Sequence, residues 1–317
     1  MVATGSRPPG QVLRAGGLDG AEVVPISGHE RIWLAEGPRG PTVLRALGPS
    51  SRDAAWVHDS LQRVAGAFPV PRPLPIFSGA SWWFDGDRAW EALSWLPGTV
   101  VGFDPLPALE RIGAFLAAFH LVALEKHPRE LAPRPTGARL CDLSSIVDWA
   151  KAPAALGPGA AAARMRDQLD RHDRDLRALA YGELARCVIH GDPTAYNVLA
   201  DGDPPAPTGL IDFDLADLEA PVADVSFCLW RSGRPSKPVR RLDLDRVTAL
   251  VAGYHSVRPL SRREVALVPV CLRGRGLQMM MKRINLGVQD VGPLAELDWI
   301  DQHQGEILDA VAAGVTE

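Results

Sequence analysis

Up to Pro97-Gly98 the chain carries short apolar and β-branched runs separated by glycine turns, and beyond it the apolar positions fall at helical spacing. The runs Glu22-Val23-Val24-Pro25-Ile26, Arg31-Ile32-Trp33-Leu34-Ala35 and residues 42–47 predict the strands of a meander. Turns at Ser27-Gly28-His29 and at residues 37–41 divide them. From about Asp53 to Ala67 no glycine occurs before Gly66, and Trp56, Val57, Leu61 and Val64 form an apolar stripe, which predicts one helix. The proline-rich segment 68–75 ends it. Strands at 81–84 and 89–96 then flank the hairpin turn Asp85-Gly86-Asp87.

In the second part, Leu109, Ile112, Phe115, Leu116, Phe119 and Val122 recur at helical spacing between Pro107 and Leu124. Residues 143–186 hold two more helical stretches around an Ala/Gly/Pro-rich patch, and helices run from about Asp243 to the end. The expectation is an α+β chain of two lobes. A small β-rich lobe (residues 1–96, antiparallel sheet plus one helix) joins a larger, mainly helical lobe (97–317). In such a plan the cleft between lobes is the default small-molecule site.

Composition narrows this only slightly. A chain of 317 residues, 46% hydrophobic and 23% charged, can bury an ample core, and its net charge of −4 gives no general pull toward nucleic acid or membrane. Cys141, Cys187, Cys228 and Cys271 are widely spaced, so they read as buried thiols of a reducing compartment rather than as disulfides or zinc ligands. No export signal and no run long enough to cross a bilayer is present, so the expectation is a cytoplasmic protein.

The chemistry concentrates after the apolar run Cys187-Val188-Ile189, in His190-Gly191-Asp192-Pro193-Thr194-Ala195-Tyr196-Asn197. Asp192 and Asn197 stand five apart, a spacing at which one loop can set a carboxylate on an acceptor hydroxyl and an amide oxygen on a metal ion. A polar turn leaving a strand would look the same. A second strand ending in acids, Gly209-Leu210-Ile211-Asp212-Phe213-Asp214, adds a carboxylate that a hairpin through 198–203 would bring to the same point. Hard oxygen donors without Cys or His nearby suit Mg²⁺.

At these residues the chain resembles the aminoglycoside phosphotransferase and choline kinase-like enzymes, small-molecule kinases with a protein-kinase-like fold. The resemblance rests on Val188-Ile189-His190-Gly191-Asp192, Asn197, Leu210-Ile211-Asp212, Pro221 and Asp224. It extends to Leu96-Pro97-Gly98, Val70-Pro71-Arg72-Pro73 and the helix with His120, and covers roughly residues 20–230. It implies ATP-dependent, Mg²⁺-dependent transfer of a γ-phosphate to a small-molecule hydroxyl, GTP not being excluded as donor. Asp192 is then the base or acceptor-orienting residue, and Asn197 and Asp212 are the metal ligands. Arg45 takes the place of the lysine on the nucleotide phosphates, and Ser94 and Trp95 fall where the linker backbone meets the base. His190 and Asp224 read as scaffold of the loop, and His120 as a satisfied core histidine. Residues 53–64 offer Asp53, His58 and Asp59, but no glutamate to pair with Arg45.

The acceptor is an antibiotic, a sugar or an amino alcohol on this reading. Residues 230–283 are rich in arginine and residues 284–317 hold acids without lysine or arginine. The acids could wall a polycationic acceptor, or the two blocks could pair with each other. A protein of the same scaffold that sequesters a small ligand without turnover is the alternative. Neither nucleic acid nor membrane is expected as a partner, and the oligomeric state is left open.

Overall fold

The computed structural model describes residues 7–26, 31–37, 40–47, 53–102, 108–127, 132, 134–135, 156, 159–236, 241–285 and 292–316. The expected turn at 27–30, most of the region 143–158, Cys141, Lys237 and Asp290 lie outside them. The chain divides into two compact units, Met1–Pro97 with Arg134–Thr136, and Gly98–Pro133 with Gly137–Glu317.

In the first unit, strands β1 (Val23–Pro25), β2 (Ile32–Gly37), β3 (Gly40–Ala46), β4 (Trp82–Phe84) and β5 (Ala89–Ser94) form one antiparallel sheet in the order β1-β2-β3-β5-β4. Alternation along the strands sorts the side chains by face. Trp33, Ala35, Leu44, Ala46, Trp90 and Ala92 pack together in the core of one face. A short helix that the periodicity did not reveal, α1 (Gly10–Ala15), adds Val12 and Leu13 to that core. Six residues are too few for a period to emerge from sequence. Helix α2 (Ala54–Val64) buries Val57, Leu61 and Val64 on the apolar stripe expected of it.

The second unit begins with β6 (Thr99–Val100), which pairs with β8 (Val198–Asp201), itself paired with β9 (Ala206–Leu210). Strands β7 (Cys187–Ile189) and β10 (Asp217–Glu219) form a separate pair. Around them lie α3 (Leu109–Lys126), α4 (Ala160–Ala178), α5 (Pro221–Ser232), α6 (Leu244–Val257), α7 (Arg262–Asn285), α8 (Gly292–Gln302) and α9 (Gln304–Thr316). Helix α6 starts where the carboxylate of Asp243 accepts from the N–H groups of Asp245 and Arg246. Helix α7 starts with a capping box. Ser261 Oγ accepts from the Glu264 N–H at 3.2 Å, and Glu264 Oε2 accepts from the Ser261 N–H at 2.9 Å. Glycines let α3 and α6 cross at backbone contact. A Cβ on Gly253 would fall on the Glu110 carbonyl, and one on Gly113 would meet the Leu250 carbonyl and lie 2.8 Å from the Tyr254 nitrogen. Among the described residues no helix is long and apolar enough to cross a membrane.

Candidate active site

Strand β7 delivers the loop that follows it into a buried polar brace. Asp224, the fourth residue of α5, is fully buried. Its Oδ2 accepts from the His190 N–H at 2.7 Å and its Oδ1 from the Gly191 N–H at 2.8 Å. Gly191 holds φ at +80°, a conformation open to glycine at little cost. The chain can therefore turn both N–H groups onto one carboxylate. His120 of α3 donates Nε2–H to the same Oδ2 at 3.1 Å and accepts at Nδ1 from the Tyr254 hydroxyl at 2.8 Å. Burial pulls the His120 pKa below its ordinary value, although the neighbouring Asp224 carboxylate opposes the shift. Burial likewise pushes the Tyr254 phenol far up, so it keeps its proton.

His190 is the inner strut of the loop. Its Nδ1 accepts from the Asp192 N–H at 3.1 Å and its Nε2–H donates to the Ile211 carbonyl at 2.8 Å, which sets the tautomer. The ring also lies 4.5 Å, centroid to centroid, from Phe213. One imidazole thus ties the loop to the end of the β8–β9 hairpin. The sequence reading of His190, His120 and Asp224 as scaffold agrees with these contacts.

Asn197 and Asp212 lie at one end of that hairpin. Val198 faces Leu210 in the register, and the Ile211 N–H donates to the Asn197 carbonyl at 2.9 Å, so Asp212 is one residue past the last pairing. Asn197 donates Nδ2–H to the Asp192 carbonyl at 2.9 Å. That bond uses the amide nitrogen, and the amide oxygen is the group of this side chain with which a cation could bond. Asp212 is exposed and sits in the left-handed region at φ +67°, ψ +70°. For a residue with a Cβ this costs on the order of 1–3 kcal/mol, of the kind held at working sites. A carboxylate and an amide oxygen at one hairpin end fit a hard divalent cation such as Mg²⁺. No group of three or more His, Cys, Asp or Glu gathers into a metal cluster among the described residues.

Asp192 has a partner that sequence reasoning missed. Arg275 of α7 donates from Nη2 to Asp192 Oδ1 at 2.6 Å and from Nη1 to the Gly191 carbonyl at 3.4 Å. The arginine side chain is 7% exposed and the aspartate 34%. The guanidinium carbon also lies 5.1 Å from the centroid of Phe227. Arg275 is one of many arginines between 230 and 283, and nothing in the sequence distinguishes it.

In the first unit, Arg45 faces Glu91 directly across β3 and β5. Its Nε–H donates to Glu91 Oε1. The other carboxylate oxygen lies 2.6 Å from His58 Nε2, and His58 Nδ1 lies 2.7 Å from Ser81 Oγ. The carboxylate expected on the helix is therefore supplied by a strand. The other acids of the α2 region are engaged elsewhere, Asp53 with Arg134 at 2.7 Å and Asp59 with Arg63 at 2.9 Å. A lone glutamate inside the otherwise apolar run Ala89-Trp90-Glu91-Ala92-Leu93 was the available signal. Burial alone would raise the Glu91 pKa, but the Arg45 charge and the His58 hydrogen bond hold it below the ordinary glutamate value. Ser94 uses both its hydroxyl and its N–H on the backbone of Arg72, at 2.9 and 2.8 Å. Trp95 keeps an exposed indole, while its N–H reaches the Pro41 carbonyl at 3.3 Å.

Acids of the 284–317 block pair with arginines, some from the 230–283 block and some from α4. Glu296 meets Arg234 at 3.0 Å, and Asp301 takes Arg273 at 2.8 Å and Arg171 at 3.2 Å. Asp298 pairs with Arg164. Near the loop, Arg231 of α5 lies over the Tyr196 ring at 5.4 Å.

The sequence model of a phosphotransferase enzyme family matches residues 22–260. A homoserine kinase of Rhizobium johnstonii is 30% identical over 220 residues, which is 68% of this chain and 63% of that protein. Matches to homoserine kinases of two Methylobacterium species span 34% and 60% of their lengths, so the chain covers less than two thirds of these relatives. Among solved structures, a microcompartment-associated aminopropanol kinase superposes with a TM-score of 0.69 at 18% identity, over 96% of this chain and 99% of that one. An amicoumacin kinase in complex with AMP-PNP and Ca²⁺ superposes with a TM-score of 0.63 at 15% identity, over 96% and 94%. These likenesses bear out the protein-kinase-like α+β fold expected from the sequence.

Proposed function

We propose that this chain, which belongs to the phosphotransferase enzyme family, moves the terminal phosphoryl group of ATP to the hydroxyl of a small molecule. The observation that supports the reading is the loop braced on Asp224, in which Asn197 bonds the Asp192 carbonyl and accepts at its own carbonyl from Ile211, next to Asp212. Asp192 orients the acceptor hydroxyl and takes up its proton as the oxygen becomes a nucleophile. Asn197 and Asp212 hold Mg²⁺, which when bound neutralises charge developing on the transferred phosphoryl oxygens. Arg45, in the N-terminal unit, contacts the nucleotide phosphates, and the exposed Trp95 indole beside Ser94 supplies a face for the base. The N-terminal unit is thus the nucleotide-holding part of the chain, and the C-terminal unit carries the catalytic and acceptor residues.

The acceptor we favour is a hydroxy amino acid or an amino alcohol, as the names of the homoserine and aminopropanol kinases suggest for those proteins. The charges support the hydroxy amino acid over a polycationic antibiotic. Glu296, Asp298 and Asp301 are held by arginines, whereas Arg275 and Arg231 stand at the loop itself. An anionic group on the acceptor suits that surrounding better than several ammonium groups. Cys187, Cys228 and Cys271 are buried free thiols, in keeping with a reducing compartment such as the cytoplasm.

The test is nucleotide consumption with Mg²⁺ and ATP or GTP, in the presence of homoserine, amino alcohols and aminoglycosides in turn. Homoserine or an amino alcohol should stimulate ADP formation, and Asp192→Ala should lower that stimulated rate by roughly 10²–10⁴-fold while nucleotide binding persists. A full acceptor panel without stimulated turnover, alongside a ligand-induced rise in melting temperature, would establish the sequestering alternative instead.

A further inference from the structure

The contact between Arg45 and Glu91 continues past the pair itself. Glu91 engages Arg45 through Oε1 at the arginine Nε, and presents Oε2 to His58 Nε2 at 2.6 Å. A carboxylate facing an arginine in the fork-to-fork manner would use both oxygens on it. Here the second oxygen belongs to the helix. His58 and Glu91 are 5% and 2% exposed, so the bond between them is buried, where it is strengthened. The carboxylate takes the Nε2–H of His58, and Nδ1 lies 2.7 Å from the Ser81 hydroxyl on the other side of the ring. Three elements therefore meet at one carboxylate: β3 through Arg45, β5 through Glu91, and α2 through His58.

We propose that His58 and Glu91 are positioning residues for Arg45, so that the seating of α2 on the sheet sets the angle at which the guanidinium meets the phosphates of the nucleotide. This rests on Arg45 being the nucleotide-phosphate contact proposed above. The glutamate is carried by the sheet and the helix supplies an imidazole, so helix and cation are coupled through the two oxygens of one carboxylate. A helix that loses its seat leaves Oε2 unpaired in the interior. The carboxylate then turns toward Arg45 with both oxygens and draws the guanidinium away from the phosphates.

The experiment is a double-mutant cycle of His58→Leu and Arg45→Ala, read by AMP-PNP binding and by steady-state kinetics with a stimulating acceptor. Loss of a hydrogen bond to a charged group predicts that His58→Leu raises the nucleotide Kd and KM about tenfold, with the acceptor KM unchanged. His58→Gln, which can still donate to Glu91, should recover most of the affinity. In the Arg45→Ala background His58→Leu should have no further effect. Glu91→Gln, close in size and melted alongside as a folding control, serves the same cycle if His58→Leu does not fold. Equal losses in both backgrounds, or unchanged affinity in His58→Leu, would overturn the proposal. Unchanged nucleotide affinity in Arg45→Ala would overturn it as well, because the relay would then end on a residue that does not touch the nucleotide. Acceptor-stimulated ADP formation surviving in that variant would leave the kinase reading standing.

Discussion

Replacing Asp224 by alanine removes the acceptor on which the loop hangs. Three donors lose their partner at once, the N–H groups of His190 and Gly191 and the Nε2–H of His120. Asp224, His120 and His190 are all fully buried, so water does not reach the orphaned groups without opening the core. An unsatisfied buried donor costs about 1–3 kcal/mol, and three together, partly relieved by water entering the space of the lost carboxylate, give roughly 3–5 kcal/mol. At about 2–4 °C per kcal/mol for a unit of this size, melting should fall by at least about 6 °C. Because the same N–H groups fix the backbone that carries Asp192, turnover should fall by roughly 10²-fold even at temperatures where the variant is folded. Urea denaturation at pH 7.5, followed by far-UV circular dichroism, measures the first effect, and acceptor-stimulated ADP formation at 15 °C measures the second. Asp224→Asn keeps one acceptor oxygen and should fall between alanine and the parent in both. A variant within about 1 kcal/mol of the parent would refute the view that this carboxylate holds the loop.

Three further outcomes follow from contacts of the same kind. Arg275→Met keeps the length packed on Phe227 but frees Asp192 Oδ1, and should lower kcat roughly 10²-fold with the nucleotide Kd unchanged, as isothermal titration would show. His120 has a folded-state pKa below its ordinary value near 6.5, so the unfolded chain takes up a proton first as pH falls. Its contribution to stability is complete above about pH 6.5 and is lost as pH falls below that, by up to about 1.4 kcal/mol per pH unit, and His120→Gln should flatten that part of a urea-midpoint profile. Gly253→Ala drives a methyl into the Glu110 carbonyl of α3, and separating two packed backbones should cost about 1–3 kcal/mol or more, read from the same urea curves.

Elements with a strong local pattern were legible along the chain. The expected strands at 31–35, 42–47, 81–84 and 89–96 appear as β2, β3, β4 and β5, with ends shifted by a few residues. The helices expected at 53–67 and 107–124 appear as α2 and α3. Helix α5 was not expected from the sequence, and the structure buries every one of its residues except Arg231. The loop motif was legible for a similar reason, since a strand, a turn glycine and the spacing of Asp192 and Asn197 are all local features.

What the sequence determined by itself was the inventory of chemistry: a carboxylate and an amide five apart, a second carboxylate ending a strand, and a cation in the third strand. What the tertiary structure decided was the pairing of distant side chains. Glu91 stands 46 residues from Arg45, Asp224 stands 34 from His190, and Arg275 stands 83 from Asp192. Local periodicity records which face of an element is apolar, but not which element covers that face. A buried glutamate in a strand and one arginine among many acquire partners only when the register of β3 on β5 and the packing of α7 against the loop set them within bonding distance. Arg45 was therefore readable from the chain as a cation of the third strand, while the histidine and glutamate that hold it were not.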